Sequence, residues 1–337
     1  MLTLLTTLVS VAGFWWYLQQ NWNVDVSSGI YHVIVPKPVV PTVANATLPR
    51  RSTRTVFAGN LAAPELVEPS GLARSQRYPD VYWAVNDRGS PAALFALDAS
   101  GRDLGQWRIA AENFDFEDIA SFTGELGPTL LVADTGDNLR WRRELALHLI
   151  REPTLDIAED DILRVERTIR FAYPGGVYRD CEAVAVADDW IYLVTKRVTP
   201  AEVFRLPLSS GRGLEVPERV GLLDTIPQPN TFSQRQNPAG WRFDSAPTAL
   251  DMRPDGALVL THRDAYLYPR SAGESWELAF SRMPQRIELP AQPQLEAIAI
   301  QNIDGPLRFL TVAERSRGRN AVALFETQLL EVRDLQP

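Results

Sequence analysis

The sequence is poor in the residues that carry most catalytic chemistry. It has one cysteine, Cys181, and three histidines among 337 residues. A single thiol cannot form an intrachain disulfide or a CxxC redox or zinc pair, which argues against cysteine chemistry. The G-x-S-x-G, H-E-x-x-H, P-loop and dinucleotide-binding glycine patterns are also missing. The usual nucleophile, zinc-protease and nucleotide-binding classes are therefore not indicated.

Basic residues are also outnumbered by acidic ones. The chain has 42 acidic and 34 basic residues, for a net charge of −8, and most basic residues are interspersed with acidic ones. Nucleic acids are bound by clustered Lys and Arg, so no nucleic-acid partner is predicted. The hydrophobic content of 45% is enough for a large core, and we expect a folded monomer.

The N-terminal segment lacks charge altogether. No charged side chain occurs from Leu2 to Leu18, and this run just reaches the lower limit for a helix crossing a bilayer core of about 30 Å. No small-x-small cleavage signal follows directly. We predict an uncleaved signal anchor or transmembrane helix over residues 1–20, with the globular part exported to the periplasm or the cell exterior. A buried N-terminal helix is the alternative.

A proline-rich stretch separates this segment from the rest. Residues 21–52 include Pro36, Pro38, Pro41 and Pro49 and show little periodicity. Such a composition is typical of a semi-extended tether. We expect the globular domain to occupy residues 53–337.

Long amphipathic helices are nearly absent, which argues against a parallel α/β fold. Instead, one short motif recurs five times. The copies are Glu68 to Ala73 (EPSGLA), Asp115 to Ala120 (DFEDIA), Asp180 to Ala185 (DCEAVA), Ala246 to Asp251 (APTALD) and Gln294 to Ala299 (QLEAIA). Each is followed by β-rich runs separated by turn residues, and the repeat length suits a four-stranded sheet with loops.

The repeat predicts an all-β fold, a β-propeller. Five copies favour five blades, with a strand over Thr53 to Phe57 completing the last blade and closing the ring. Six blades are the alternative, because a degenerate copy could lie in the insertions after Tyr173 or after Asp224.

The repeats, taken with Asp134-Thr-Gly-Asp137-Asn138, resemble a family of exported bacterial propellers grouped as having esterase-like activity of phytase. The resemblance covers roughly residues 60 to 326. It implies the propeller fold but little specific chemistry. Thr248 departs from the Glu that the neighbouring copies carry, so a fivefold acidic ring is not expected.

Charged residues should converge at one face of the propeller. Strands alternate in direction, so the start of each innermost strand lies beside the end of the second strand. Residues at the strand starts include Asp115 and Asp180. The predicted ligand-binding residues are Asp87, Arg88, Lys196, Arg197, Arg263, Glu314 and Arg315. The predicted metal ligands are Glu117, Asp134, Asp137, Asn138, Glu182 and Glu296.

Both sets have alternative interpretations. Charged loop ends can simply keep a sheet edge soluble. The segment from Asp134 to Asn138 is rich in oxygen ligands, which suits calcium, but it lacks the EF-hand order and can equally be an Asp-Gly turn. Of the histidines, only His262 stands in the predicted rim, and it is the one candidate acid or base.

Two functions follow from this pattern. The first is a cell-envelope propeller that binds an anionic small molecule or an envelope protein at the mouth of its channel. The second is a metal-assisted, calcium-type phosphoester or ester hydrolase, which the acidic and Arg-bearing rim and the family resemblance both suggest.

The predicted anchor can be tested by cell fractionation. The full-length chain is expected in the membrane fraction with its N-terminus intact, because the charge-free run from Leu2 to Leu18 stays inserted. A chain that begins at residue 53 should move to the soluble fraction. A soluble full-length chain, or a mature N-terminus beyond residue 20, would show that the prediction is wrong.

Overall fold

The fold comes from a computed structural model that describes residues 17, 23–34, 48–158, 161–229, 235, 243–292, 294–313 and 321–330. Within these ranges the protein is an all-β propeller of five antiparallel sheets. The short apolar runs seen in the sequence are the strands, since their β-branched and aromatic side chains pack well on a pleated sheet.

The first strand, β1 (Thr53–Asn60), belongs to the last blade, and the others follow in chain order. Blade 1 consists of β2 (Pro69–Arg74), β3 (Val81–Asn86), β4 (Ala93–Asp98) and β5 (Asp103–Ile109). Blade 2 consists of β6 (Phe116–Gly124), β7 (Gly127–Asp134), β8 (Leu145–Arg151) and β10 (Val165–Phe171). The two-residue strands β9 (Ile162–Leu163) and β14 (Leu214–Glu215) extend blades 1 and 2 in parallel.

The remaining blades repeat this arrangement. Blade 3 consists of β11 (Cys181–Ala187), β12 (Trp190–Thr195), β13 (Ala201–Pro207) and β15 (Glu218–Leu223). Blade 4 consists of β16 (Pro247–Arg253), β17 (Gly256–Thr261), β18 (Asp264–Pro269) and β19 (Gln285–Glu288). Blade 5 consists of β20 (Leu295–Ile300), β21 (Arg308–Ala313), β22 (Ala323–Leu329) and β1.

The innermost strands β2, β6, β11, β16 and β20 each contact the next around one axis, and β20 contacts β2. Strand β1 pairs antiparallel with β22, so the N-terminal strand completes the last blade. Both the five-blade prediction and the closing strand are confirmed. In the described parts of the two insertions, after Tyr173 and after Asp224, the chain forms no sixth sheet.

A β-bulge interrupts every innermost strand at the same place. The pairing register with the second strand shifts there in all five blades. The unpaired residues are the third positions of the five motifs, Ser70, Glu117, Glu182, Thr248 and Glu296. A bulge re-aims the side chain of its extra residue. The sequence repeat is therefore a repeat of one backbone irregularity at the mouth of the channel.

Asp118, the fourth residue of the second motif, joins three blades at the axis. Its carboxylate accepts hydrogen bonds from the backbone N–H of Ile119 in its own strand, at 2.8 Å, and of Val184 in blade 3, at 2.8 Å. A longer contact of 3.4 Å reaches the N–H of Leu250 in blade 4. Burial raises the pKa of Asp118 well above its ordinary value, although these N–H groups act in the opposite direction.

The blades pack through apolar side chains between neighbouring sheets. Trp83 and Trp107 of blade 1 are fully buried and lie edge to face, with ring centroids 5.9 Å apart. Phe171 and Phe204 are buried similarly between blades 2 and 3. Burying one such side chain contributes on the order of 1.5–3 kcal/mol, so the closed ring rests on its interblade layers.

The short α-helices α1 (Val26–Ile34) and α2 (Trp276–Phe280) lie outside the sheets. Helix α1 lies within the predicted tether, and Val26 and Ile30 pack with Trp141 of the loop after β7. Among the described residues, neither helix has the length and apolar composition needed to cross a bilayer. The predicted anchor, residues 2–18, falls outside the described residues except for Tyr17, so it and the domain boundaries stay predictions.

Gly71 offers a direct test of the packed axis. A Cβ atom at this position would lie 2.6 Å from the backbone nitrogen of Ile119 and 2.8 Å from Cα of Asp118. Both contacts are with backbone that cannot move aside cheaply, so Gly71→Ala should lower the free energy of unfolding by about 1–3 kcal/mol or more. Chemical denaturation would measure the change.

Gly213 provides the matched control. A Cβ there meets no atom within 4 Å, so Gly213→Ala should leave stability within about 0.5 kcal/mol of the parent. Equal stabilities for Gly71→Ala and Gly213→Ala would contradict the close packing of the innermost strands at Gly71.

Candidate functional site

One mouth of the channel gathers acidic side chains from four blades. We define the acidic mouth as the six residues Asp87, Asp115, Glu117, Asp180, Glu182 and Glu296. The three Glu residues are bulge residues of innermost strands, two of the Asp residues immediately precede such strands, and Asp87 follows a second strand. The antiparallel order of the strands brings these positions together, as the sequence predicted.

The acidic mouth contains two overlapping groups of three carboxylates. One is formed by Asp87, Asp115 and Glu117, and the other by Glu117, Asp180 and Glu182. Within each group, one oxygen from every residue lies within 4.8 Å of the others. Gly136 permits this crowding, because a Cβ there would overlap the carboxylates of Glu117 and Asp115. Glu117 belongs to both groups and so lies at their centre.

The crowding changes how these acids ionise. Burial, with a further contribution from the charge of Asp87, raises the pKa of Asp115 to about 8. Burial also raises the pKa of Glu117 well above its ordinary value, and the neighbouring Glu182 adds to the effect. Oδ1 of the buried Asp115 has no hydrogen-bond partner among the described residues. An unpartnered buried oxygen is costly unless a proton or a cation occupies the space beside it.

Two basic residues compensate part of this charge. Lys196 forms an ion pair with Glu182, and its Nζ lies 3.8 Å from Oε2 of Glu296. These acids raise the pKa of Lys196 above its ordinary value although burial acts against it. Arg88 lies 3.7 Å from Oδ2 of Asp115, with its side chain 55% exposed. Lys196 is therefore held in ion pairs within the protein. The Arg88 guanidinium makes a long contact with Asp115 and its side chain is exposed, so it can turn toward a ligand.

The other predicted basic residues that the structure describes, Arg197 and Arg263, are paired. Nε of Arg197 lies 2.6 Å from Oδ2 of Asp180, and its Nη2 donates to Oδ1 of Asn138. Arg263 pairs with Asp244 at 3.2 Å. Glu314 and Arg315, the other predicted rim residues, lie outside the described residues.

The predicted calcium loop is held by its own hydrogen bonds. The carboxylate of Asp137 accepts from the backbone N–H of Trp141 and of Arg142 at 2.9 and 3.0 Å. Asp134 pairs with the Arg142 guanidinium at 2.9 Å. With Asn138 bound to Arg197, the three predicted ligands of this loop all use oxygens on protein donors. This arrangement favours the alternative interpretation, a hydrogen-bonded Asp-Gly turn.

His262 lies beside the acidic mouth in a buried position. Burial lowers the pKa of its imidazole to about 4, although the charge of Glu296 opposes the shift. Its Nδ1 is 3.4 Å from Oε1 of Glu296 and makes no hydrogen bond with the described residues. The ring is therefore neutral at neutral pH, a state in which it can accept a proton.

Sequence reasoning did not assign a role to three of the acids. Asp115 and Asp180 were placed at the mouth but not among the metal ligands, and Asp118 was not singled out. For Asp118 a signal was present, because the equivalent position of the other four motifs holds only Gly or Ala. A lone carboxylate at a position otherwise reserved for small residues indicates a special contact at the axis.

Comparisons with solved structures find likenesses of low identity, with TM-scores below 0.5. An aldose sugar dehydrogenase from Streptomyces coelicolor, solved with bound PQQ, is 12% identical, with a TM-score of 0.41 over 84% of this chain and 100% of that one. A putative glucose dehydrogenase from Thermus thermophilus is 11% identical, with a TM-score of 0.43 over 82% and 100%. The Pan2 WD40 domain of Neurospora crassa is 11% identical, with a TM-score of 0.35 over 82% and 96%.

These likenesses are too weak to say anything about activity. No family model matches the chain, and no curated protein matches it either. The resemblance to propellers with esterase-like activity of phytase therefore stays a prediction.

The raised pKa of Asp115 predicts a pH-dependent stability. A carboxyl whose pKa is higher in the folded state destabilises the fold as the pH rises from its unfolded value, 3.8, to its folded value, about 8. Asp115→Asn removes this effect. In EDTA the variant should be more stable than the parent by a margin that grows from pH 5 to pH 8 and reaches a few kcal/mol at most.

Thermal unfolding of both proteins across this pH range measures the margin. Asp80→Asn, at an exposed turn, is the control and should stay within about 0.5 kcal/mol of the parent. A margin for Asp115→Asn that is flat or shrinks as the pH rises would contradict the assignment.

Proposed function

We propose that the acidic mouth binds a divalent cation, with Glu117 shared between Asp87 and Asp115 on one side and Asp180 and Glu182 on the other. The observation that carries the proposal is the buried Asp115: its Oδ1 has no hydrogen-bond partner among the described residues, and its carboxylate belongs to a group of three that lie within 4.8 Å of one another. Burial, together with repulsion between the neighbouring carboxylates, raises the pKa values of Asp115 and Glu117, and a bound cation would oppose both effects. Carboxylate oxygens alone suit calcium or magnesium, and flexible acidic groups suit calcium.

Charge balance favours a cation over direct binding of an anion by the rim. Arg197 is paired with Asp180 and Arg263 with Asp244, so neither guanidinium is available without breaking an ion pair. Lys196 lies between Glu182 and Glu296. The acids of the mouth therefore exceed the bases that could neutralise them.

An anionic ligand fits once the cation is included. Arg88, with a largely exposed side chain beside Asp115, can contact phosphate or carboxylate with its planar fork. A bound cation would supply the second positive charge. We propose that the protein binds anionic ligands at this mouth in the cell envelope, in agreement with its predicted export.

A second candidate function, phosphoester or ester hydrolysis, is favoured by His262. Its buried ring is neutral, carries an Nδ1 unpartnered among the described residues and lies 3.4 Å from Glu296, which could orient it. Such a group can accept a proton from an attacking water. A panel of phosphoesters and esters, assayed with calcium and with EDTA, would show calcium-dependent turnover that His262→Gln abolishes. If no turnover is detected in either condition, hydrolysis is ruled out for these substrates and ligand binding remains the proposed function.

Calcium binding can be tested by thermal unfolding of the purified chain. After treatment with EDTA, calcium at 100 times its dissociation constant should stabilise the fold by about 2.7 kcal/mol. Magnesium and manganese serve as competing probes. Isothermal titration would give the stoichiometry and the affinity.

The matched variants are Asp115→Asn and Asp80→Asn. Asp115→Asn is expected to stay folded, because it removes a repelled charge, and yet to lose the calcium response by tenfold or more in affinity. Asp80→Asn should respond as the parent does. If no divalent cation shifts the unfolding of the parent, the acidic mouth is a solvated rim and the proposal is wrong.

A further inference from the structure

The other mouth of the channel contains a cavity that the acidic site does not use. Its volume is about 290 Å³, near the lower end for small-molecule sites. The C-terminal halves of four innermost strands line it, contributed by blades 4, 5, 1 and 2. Its walls include the apolar side chains of Leu72, Ile119, Met252 and Ile300, with the charged residues Arg74 and Asp251 among them.

The packed middle of the channel lies between this cavity and the acidic mouth. Asp118 accepts backbone hydrogen bonds from blades 3 and 4 there, and Gly71 packs directly on the backbone of Ile119. The bulge residues and the cavity residues lie two or more positions apart on the same strands, about 7 Å or more along each strand. Ligands at the two mouths would therefore contact different residues.

Arg74 is the unusual residue of the cavity. Its guanidinium makes no hydrogen bond or ion pair with the part of the chain that the structure describes. Arg253, the other arginine in the cavity wall, is held by Asp255 at 2.5 Å and by the carbonyl oxygen of Gly305 at 3.1 Å. The two arginines thus differ, and of this pair it is Arg74 whose donors are available.

Asp251 does not occupy those donors. Its two carboxylate oxygens accept from the backbone N–H of Met252 at 2.7 Å and of Ile300 at 2.6 Å. The second bond crosses from blade 4 to blade 5, so this carboxylate connects neighbouring blades as Asp118 does. Its charge acts on Arg74 only through space.

A planar guanidinium with unpaired donors, next to apolar residues, suits a ligand that has both an anionic group and an apolar body. The fork pairs with two oxygens of a carboxylate or phosphate, and the wall covers a hydrocarbon body. We propose that this second mouth binds a small organic anion with an apolar body, its charged group on Arg74 and its body against Leu72, Ile119 and Ile300. The site is separate from the cation site, and neither proposal depends on the other.

The test is a titration of the full chain in EDTA with three probes of six carbons each: hexanoate, hexyl phosphate and hexanamide. Ligand-observed NMR and calorimetry would follow binding. Saturable binding of either anion, at least tenfold tighter than that of the amide, is expected, and the preferred anion identifies the head group. Binding of neither anion, or equal binding of the amide, would overturn the proposal.

Variants locate the binding site. Arg74→Gln should weaken binding of the anion tenfold or more, whereas Arg74→Lys, which keeps the charge but not the fork, should weaken it less. Arg102→Gln, at an exposed ion pair on the rim of blade 1, is the matched control and should bind as the parent does. Thermal unfolding checks that each variant is folded. Unchanged affinity in a folded Arg74→Gln variant would place the anion elsewhere and refute the assignment.

Discussion

The structure depends on providing hydrogen-bond partners for the backbone groups along the unpaired edge of each innermost strand. In a propeller this strand pairs with one neighbour only, so its other backbone groups face the channel, where burial without a partner is costly. Side chains of neighbouring blades provide the partners. Asp118 accepts the N–H of Val184, and Asp251 accepts that of Ile300. These bonds connect blades that no strand pairing joins, which makes the channel part of what holds the ring together.

Hydroxyl groups provide the donors for backbone carbonyl groups of the same innermost strands. Ser70 donates to the carbonyl oxygen of Phe116 at 2.9 Å, and Thr248 donates to that of Leu295 at 2.8 Å. Both are bulge residues, and both bind the strand of the next blade. Where the bulge residue is Glu instead, the side chain joins the acidic mouth. The departure of Thr248 from the Glu pattern is thus explained by packing between blades 4 and 5.

The two mouths of the channel differ in charge because the two ends of the innermost strands differ in backbone geometry. At the acidic mouth, the three bulge Glu residues, the two Asp residues before innermost strands and Asp87 bring six carboxylates together, with Lys196 and Arg88 as partial compensation. At the other mouth the strands are regularly paired, and the cavity has both polar and apolar walls, with the guanidinium of Arg74 unpaired among the described residues. A cation suits the first environment and an organic anion the second.

The sequence by itself determined the repeat, and with it the five blades, the closing role of β1 and the side of the ring on which Glu117, Glu182 and Glu296 lie. These follow from strand alternation and from spacing along the chain, which are local properties. Only the tertiary structure decided which charges are paired. Arg197 and Asn138 bind each other across 59 positions, Asp137 folds back on Trp141, and Asp118 reaches across two blades. Such contacts depend on distances between blades of a few ångströms, which no local pattern specifies.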